Sequence, residues 1–180
     1  WREGPLLPDC LWNPCSATMA LVTVFCGGTD SDDPFASTFT LGAGENTSWR
    51  RVADMHTARH EAGAAPLRPL DLTASQLVVV GGSENFLGQG SLDSSELYDL
   101  AGDRWVVLEA RLPEAMNCRA APIACSSAVF ALNVGEQHRT PCFRLDVRCR
   151  AATWEPAAEP PLPRCAFAVA TVGDDSFVMI

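Results

Sequence analysis

The stretch QLVVVGGSENFLGQGSLDSSELYDLAGDRWVVLEA, residues 76–110, decides how the rest of the chain is read. Leu77–Val80 is a β-branched run that ends in the pair Gly81 and Gly82. A polar loop follows, then the alternating segment Ser94–Tyr98 and the acidic turn Asp99–Arg104. Trp105 then opens a last apolar run, Val106–Leu108. Runs this short, β-branched and bounded by glycine, serine and aspartate are expected to be strands joined by hairpins.

Outward from this stretch the same order recurs. Tryptophans at 1, 49, 105 and 154 are spaced by 48, 56 and 49 residues. A period of about 50 residues with four short strands per unit marks a repeat architecture. Trp1 begins WREGPLLPD and Trp154 begins WEPAAEPPLPR, both tryptophan and acidic residues followed by Leu-Pro. The next unit places strands at Ala17–Ala20 and Leu21–Cys26, ending in Gly27 and Gly28. A loop with Asp30, Asp32 and Asp33 leads to a third strand, Phe35–Leu41, and a fourth that starts at Trp49. The unit containing the opening stretch begins at Met55–His60 with a small-residue strand, Ala62–Ala65. The unit after it gives Ala120–Cys125, Ala128–Val134, Cys142–Val147 and Trp154, and its glycine pair is degraded to Asn133-Val134-Gly135. Ala166–Val172 and Ser176–Ile180 open one more. The expected division is therefore 1–9, 10–55, 56–111, 112–160 and 161–180. Trp1 carries neither an initiator methionine nor a signal-peptide pattern, and the last unit stops where a glycine pair is due. A piece of a longer protein, supplying the remaining units, is expected.

Composition narrows the function classes. With 180 residues, 47% of them hydrophobic, the chain can bury a core. A net charge of −9 argues against general binding to nucleic acid or an anionic membrane. No apolar run approaches the ~20 residues that span a bilayer. Arg139, Arg144, Arg148 and Arg150 form one basic segment, which a solvated strand face explains. Eight cysteines, without CxxC spacing, are expected to be mostly reduced and packed in the core. A Cys10–Cys15 pair, a Cys142–Cys149 pair or a redox-sensing thiol are the alternatives. His56 and His60 have the spacing of a metal pair on a helix, but they fall in an expected loop, where that spacing does not align two rings.

Strand, Gly-Gly, loop, strand, Tyr98 and Trp105 seven positions on, then a Leu-Pro or Met lead-in to Arg59, Arg119 or Arg164: this pattern resembles the kelch family. The resemblance covers essentially the whole chain, although the flanking units lack the tyrosine. It implies an all-β, kelch-type β-propeller of four-stranded antiparallel blades. Gly27, Gly28, Gly81, Gly82, Trp49, Tyr98, Trp105 and Trp154 would then be structural repeat positions. It further implies a protein-binding module, with no cofactor and no catalytic residues, whose loops gather on one face. By that resemblance Asp30, Ser31, Asp32, Ser83, Glu84, Asn85, Gln137, His138 and Arg139 would meet a protein or peptide partner, with Arg59, His60, Arg119 and Arg164 from the lead-in loops. Arginines at such a site suit an acidic peptide, because the guanidinium forks onto carboxylates. The competing expectation is that Arg59, Arg119 and Arg164 hold neighbouring loops in place. The context implied is a cytoplasmic adaptor presenting substrates to a cullin ubiquitin ligase, as BTB-kelch proteins do. The alternatives are a kelch-like enzyme, resembling copper oxidases or sialic-acid mutarotases, and a cytoskeletal or scaffolding propeller. The single tyrosine, Tyr98, already has a packing role in the repeat.

Overall fold

The computed structural model describes residues 4–7, 11–19, 21–30, 32–43, 48–67, 76–85, 90–117, 123–124, 128–132, 141–147, 152–159, 169–171 and 177–179. Among them there are strands and turns but no helix. The fold is all-β. The first sheet comprises β1 (Cys15–Met19), β2 (Val22–Cys26), β3 (Thr38–Gly42) and β4 (Arg50–Val52) in consecutive order. The second comprises β5 (Gly63–Leu67), β6 (Gln76–Val80), β7 (Ser95–Asp99) and β8 (Arg104–Val107). The third repeats the pattern with β9 (Ile123–Ala124), β10 (Ala128–Leu132), β11 (Cys142–Asp146) and β12 (Trp154–Pro156). A two-stranded ribbon follows, β13 (Val169–Thr171) with β14 (Phe177–Met179). Every pairing is antiparallel.

The unbroken apolar run of β6 follows from its place between two sheets. Leu77 and Val79 enter a core shared with the first sheet, whose members include Met19, Val24, Val52 and Met55. Val78 and Val80, on the opposite pleat, enter a second core with Val129, Ala131, Phe143 and Leu145 of the third sheet. A strand covered on both faces loses the polar half of its alternation, and burying each such side chain stabilises by about 1.5–3 kcal/mol. Successive sheets also touch through their first strands, β1 against β5, β5 against β9 and β9 against β13. A small first strand permits this close approach. Gly63, Ala64 and Ala65 of β5 are all buried.

A cavity of about 720 Å³ lies between the second and third sheets, walled by Leu67, Val78, Leu97, Leu108, Val129 and Leu145. No helix among the described residues is long and apolar enough to cross a membrane.

Candidate functional site

Beyond the glycine pairs, the ladders of the first two sheets continue, and between first and second strands they keep the same register. Trp12 bridges Thr29, which bridges Pro34, and His60 bridges Ser83, which bridges Ser91. Between the second and third strands three residues face four in both sheets, from Cys26–Thr38 to Thr29–Pro34 and from Val80–Ser95 to Ser83–Ser91. One extra residue bends the ladder as a β-bulge does and throws the loop outward. The glycines allow it. Gly82 has φ +97°, and a Cβ there would lie 2.7 Å from the His60 carbonyl oxygen. Gly27 is seated closer still on the Arg59 carbonyl.

The residue after each pair is a buried hydroxyl that ties down its loop. Thr29 Oγ1 donates to the Asp33 carbonyl at 3.0 Å, and Ser83 Oγ to the Asn85 carbonyl at 3.0 Å. Asp30 Oδ1 accepts from the Asp32 N–H at 2.8 Å, so Asp30, Asp32 and Asp33 form an exposed acidic turn. In the second sheet's loop Glu84 is exposed and Asn85 half-buried.

Three of the residues expected to meet a partner are instead interior, and this corrects their assignment. Arg59 is wholly buried. Its Nη1 donates to the Gly81 carbonyl at 2.7 Å and its Nη2 to Glu96 Oε1 at 2.9 Å, with further bonds to the Ser94 carbonyl and hydroxyl. Glu96 also accepts from the His56 and Thr57 backbone N–H groups, at 2.8 and 3.0 Å. A buried arginine must have every charge-bearing edge answered, and here the answer is a carboxylate plus carbonyls. Arg59 thus holds the second sheet's loop, the scaffold role considered above. His60 is buried as well, with Nε2 donating to the Asn85 carbonyl at 2.8 Å. Ser83 is buried beside it. His56 Nε2 turns away, to the Trp105 carbonyl of β8 at 3.1 Å, whereas His60 serves the loop after β6. Ser31, Arg119, Gln137, His138, Arg139 and Arg164 lie outside the described residues.

Two features at this end went unread in the sequence. Trp12 is 56% exposed, at the position that His60 holds in the second sheet. Its phase was the available signal: a tryptophan off the 50-residue beat is not a repeat wedge. Just inside it, Asn13 and Glu61 occupy matching positions ahead of β1 and β5, with φ of 48° and 54°. The Glu61 N–H donates to the Asn13 carbonyl at 3.0 Å and Asn13 Nδ2 to Glu61 Oε1 at 3.3 Å. This pair joins the two sheets edge to edge.

The repeat aromatics have mechanical roles. Trp105 lies opposite Tyr98 in register, ring centroids 5.0 Å apart, and its Nε1 donates to the Ala53 carbonyl at 2.9 Å. Asp103 Oδ1 accepts from the Ala53 N–H at 3.0 Å and from the Tyr98 hydroxyl at 2.8 Å. Those two bonds, the Ala53 one first, hold the Asp103 carboxyl below its ordinary range. Burial, and then the Asp103 bond, pushes the Tyr98 phenol up. Trp49 is half-buried, edge-on to Phe25, and donates to the Pro5 carbonyl at 3.2 Å.

Cys15, Cys26 and Cys142 are free and buried. Burial pushes the Cys142 thiol up to about 11. Cys26 is raised well above the ordinary thiol range, by its bond with Cys15 and then by burial. Cys10 and Cys149, the other members of the two pairs considered above, lie outside the described residues. Among the described residues no three His, Cys, Asp or Glu side chains gather as a metal site would require.

No family model matches the chain, and no curated protein matches it. Among 129 similar solved chains is the structure of YjhT. It superposes with a TM-score of 0.73 over 94% of this chain at 16% identity, and the chain spans 58% of YjhT. At that identity the likeness is one of fold alone.

Proposed function

We propose that the chain is part of a kelch-type β-propeller and acts as a protein–protein interaction module through the loops beyond its glycine pairs. The repeated four-stranded sheets, the first-strand contacts between them and the Tyr98–Trp105 rung support the propeller. The observation that carries the binding role is Trp12. It is a large aromatic left over half exposed at the loop end, where every other described tryptophan is buried or half-buried. Aromatic anchors of this kind dominate binding energy at protein interfaces.

The exposed charged residues described within the two loops that follow the glycine pairs are Asp30, Asp32, Asp33 and Glu84, while exposed Arg111 pairs with Asp93 beside the second loop. With Arg59 drawn inside, the described residues of these loops are predominantly acidic, so the partner segment that fits them is basic rather than acidic. The context we propose is a cytoplasmic adaptor that presents this partner to a cullin ubiquitin ligase, and this rests on the kelch resemblance of the sequence.

Affinity capture with the full-length protein, followed by mass spectrometry, tests the proposal. The expected result is a cullin together with one or a few other proteins, the latter lost on Trp12→Ala while the cullin is kept. An identical set on both variants overturns the loop-face role. Stoichiometric copper in the purified protein, with no proteins captured, overturns the module in favour of an oxidase.

A further inference from the structure

Cys15 and Cys26 are direct partners in the β1–β2 register, and their Sγ atoms lie 3.3 Å apart. Directly opposed residues of an antiparallel pair have Cα atoms about 4.5 or 5.5 Å apart, and a disulfide spans roughly 4.4–6.8 Å. Either spacing accepts the bond without moving the backbone. The repeat itself does not call for cysteine here, since the same rung of the second sheet is Gly63 opposite Val80. Both thiols are free, and the Cys15 thiol also reaches the Cys26 carbonyl at 3.3 Å.

We infer that Cys15 and Cys26 form a two-thiol oxidation site, closed to a cross-strand disulfide by hydrogen peroxide. A small oxidant is required because little of either residue is exposed. Cys15 keeps 5% against 0% for Cys26, so Cys15 meets the oxidant first. Its sulfur, as thiolate, attacks one peroxide oxygen. The O–O bond breaks, the departing hydroxide takes up the thiol proton as water, and Cys15 becomes a sulfenic acid. Cys26 then gives up its proton and attacks the Cys15 sulfur. The S–O bond breaks and the oxygen leaves as a second water. Two thiols and one peroxide become one disulfide and two waters, a two-electron oxidation of sulfur matched by a two-electron reduction of peroxide.

The rung stands three residues inside the Trp12–Thr29 bridge and in the same register. The bond would therefore staple the base of the loops that carry Trp12 and the acidic turn. That consequence rests on the binding role proposed above, whereas the bond itself does not.

Native protein is treated with hydrogen peroxide, denatured in iodoacetamide and digested with trypsin. Cleavage after Arg2 and Arg50 leaves Cys10, Cys15 and Cys26 in one peptide, residues 3–50. The expected product has one alkylated cysteine and has lost two hydrogens, and dithiothreitol before alkylation restores three alkylations. The loss persists in Cys10→Ser and vanishes in Cys26→Val, a variant that keeps the fold because Val80 fills that position in the second sheet. Oxidised wild type melts several degrees above the reduced form, and Cys26→Val shows no such rise. Three alkylated cysteines after peroxide, a sulfinic acid at Cys15, or a two-hydrogen loss that survives in Cys26→Val each overturn the site. Partner capture compared between reduced and oxidised protein tests the loop consequence alone: equal capture removes it and leaves the disulfide standing.

Discussion

The junction of the first and second sheets differs from that of the second and third, although both are built from the same repeat. At the former, Trp105 and Asp103 grip Ala53 by its carbonyl and its N–H, and Tyr98 braces Asp103 from below. At the latter, Leu145 stands opposite Trp154 where Tyr98 stands opposite Trp105. Trp154 is buried with no acceptor for its Nε1–H among the described residues, and the cavity of about 720 Å³ opens between these sheets. An aromatic wedge alone does not close a junction. The tyrosine matters less for its own area than for the aspartate it holds, because that aspartate reaches across to the neighbouring sheet.

The first junction has a second clasp, and breaking it should give the largest effect. Arg59→Ala leaves Glu96 charged, buried and short of its partner, which costs about 3–5 kcal/mol in denaturant unfolding. Arg104→Ala removes an ion pair with Asp99 whose arginine is mostly exposed, and the same measurement should register less than about 1 kcal/mol. Equal losses would mean that the buried pair is not a clasp.

The two tryptophans offer a sharper contrast. Trp105→Phe keeps a ring but orphans the Ala53 carbonyl, at a cost of about 1–3 kcal/mol beyond the lost area. Trp154→Phe removes a donor that has no acceptor among the described residues, so thermal unfolding of the two variants should differ in that order. A larger loss at Trp154 would refute the distinction between the junctions.

Acid should act on the first junction most gently. The Asp103 carboxyl is held below its ordinary value, so its stabilisation is complete above the unfolded value of about 4 and fades as pH falls through the lower, folded one. Melting temperature followed from pH 7 down to pH 2 should show a shallower acid limb in Asp103→Asn than in wild type. The two curves should converge at the acid end. Parallel curves would show that the carboxylate contributes nothing there.

Much of this architecture was legible because it depends on short-range pattern. The run Leu77–Val80 and its glycine pair fix a buried strand and its exit without reference to any other residue, and the observed β6 is Gln76–Val80. The loop end was harder to read. Arg59 stood out as a repeated lead-in, but its burial depends on Glu96, a residue 37 positions away on another strand. A hint was present: Glu96 lies two residues from Tyr98 and so shares its core-facing pleat, where a lone carboxylate needs a cation. Trp12 keeps no phase with the other tryptophans, so the period that locates them says nothing of its place. The opposition of Cys15 and Cys26 follows from the hairpin register, which spacing alone does not set.

The clasp on Ala53 also separates two units that the sequence makes look identical. The repeat divides near residue 55, yet Ala53 is held by Asp103 and Trp105, and Thr57 and Arg59 by Glu96. The segment joining the sheets therefore belongs to the sheet that follows it as much as to the one it leaves. In hydrogen exchange the amides of Ala53, His56 and Thr57 should open together with those of β7 and β8 rather than with their sequence neighbours in β4. The block that unfolds as one is offset from the block that repeats, so a cut made at the repeat boundary would part Ala53 from Asp103 and Trp105 while leaving Arg59 with Glu96.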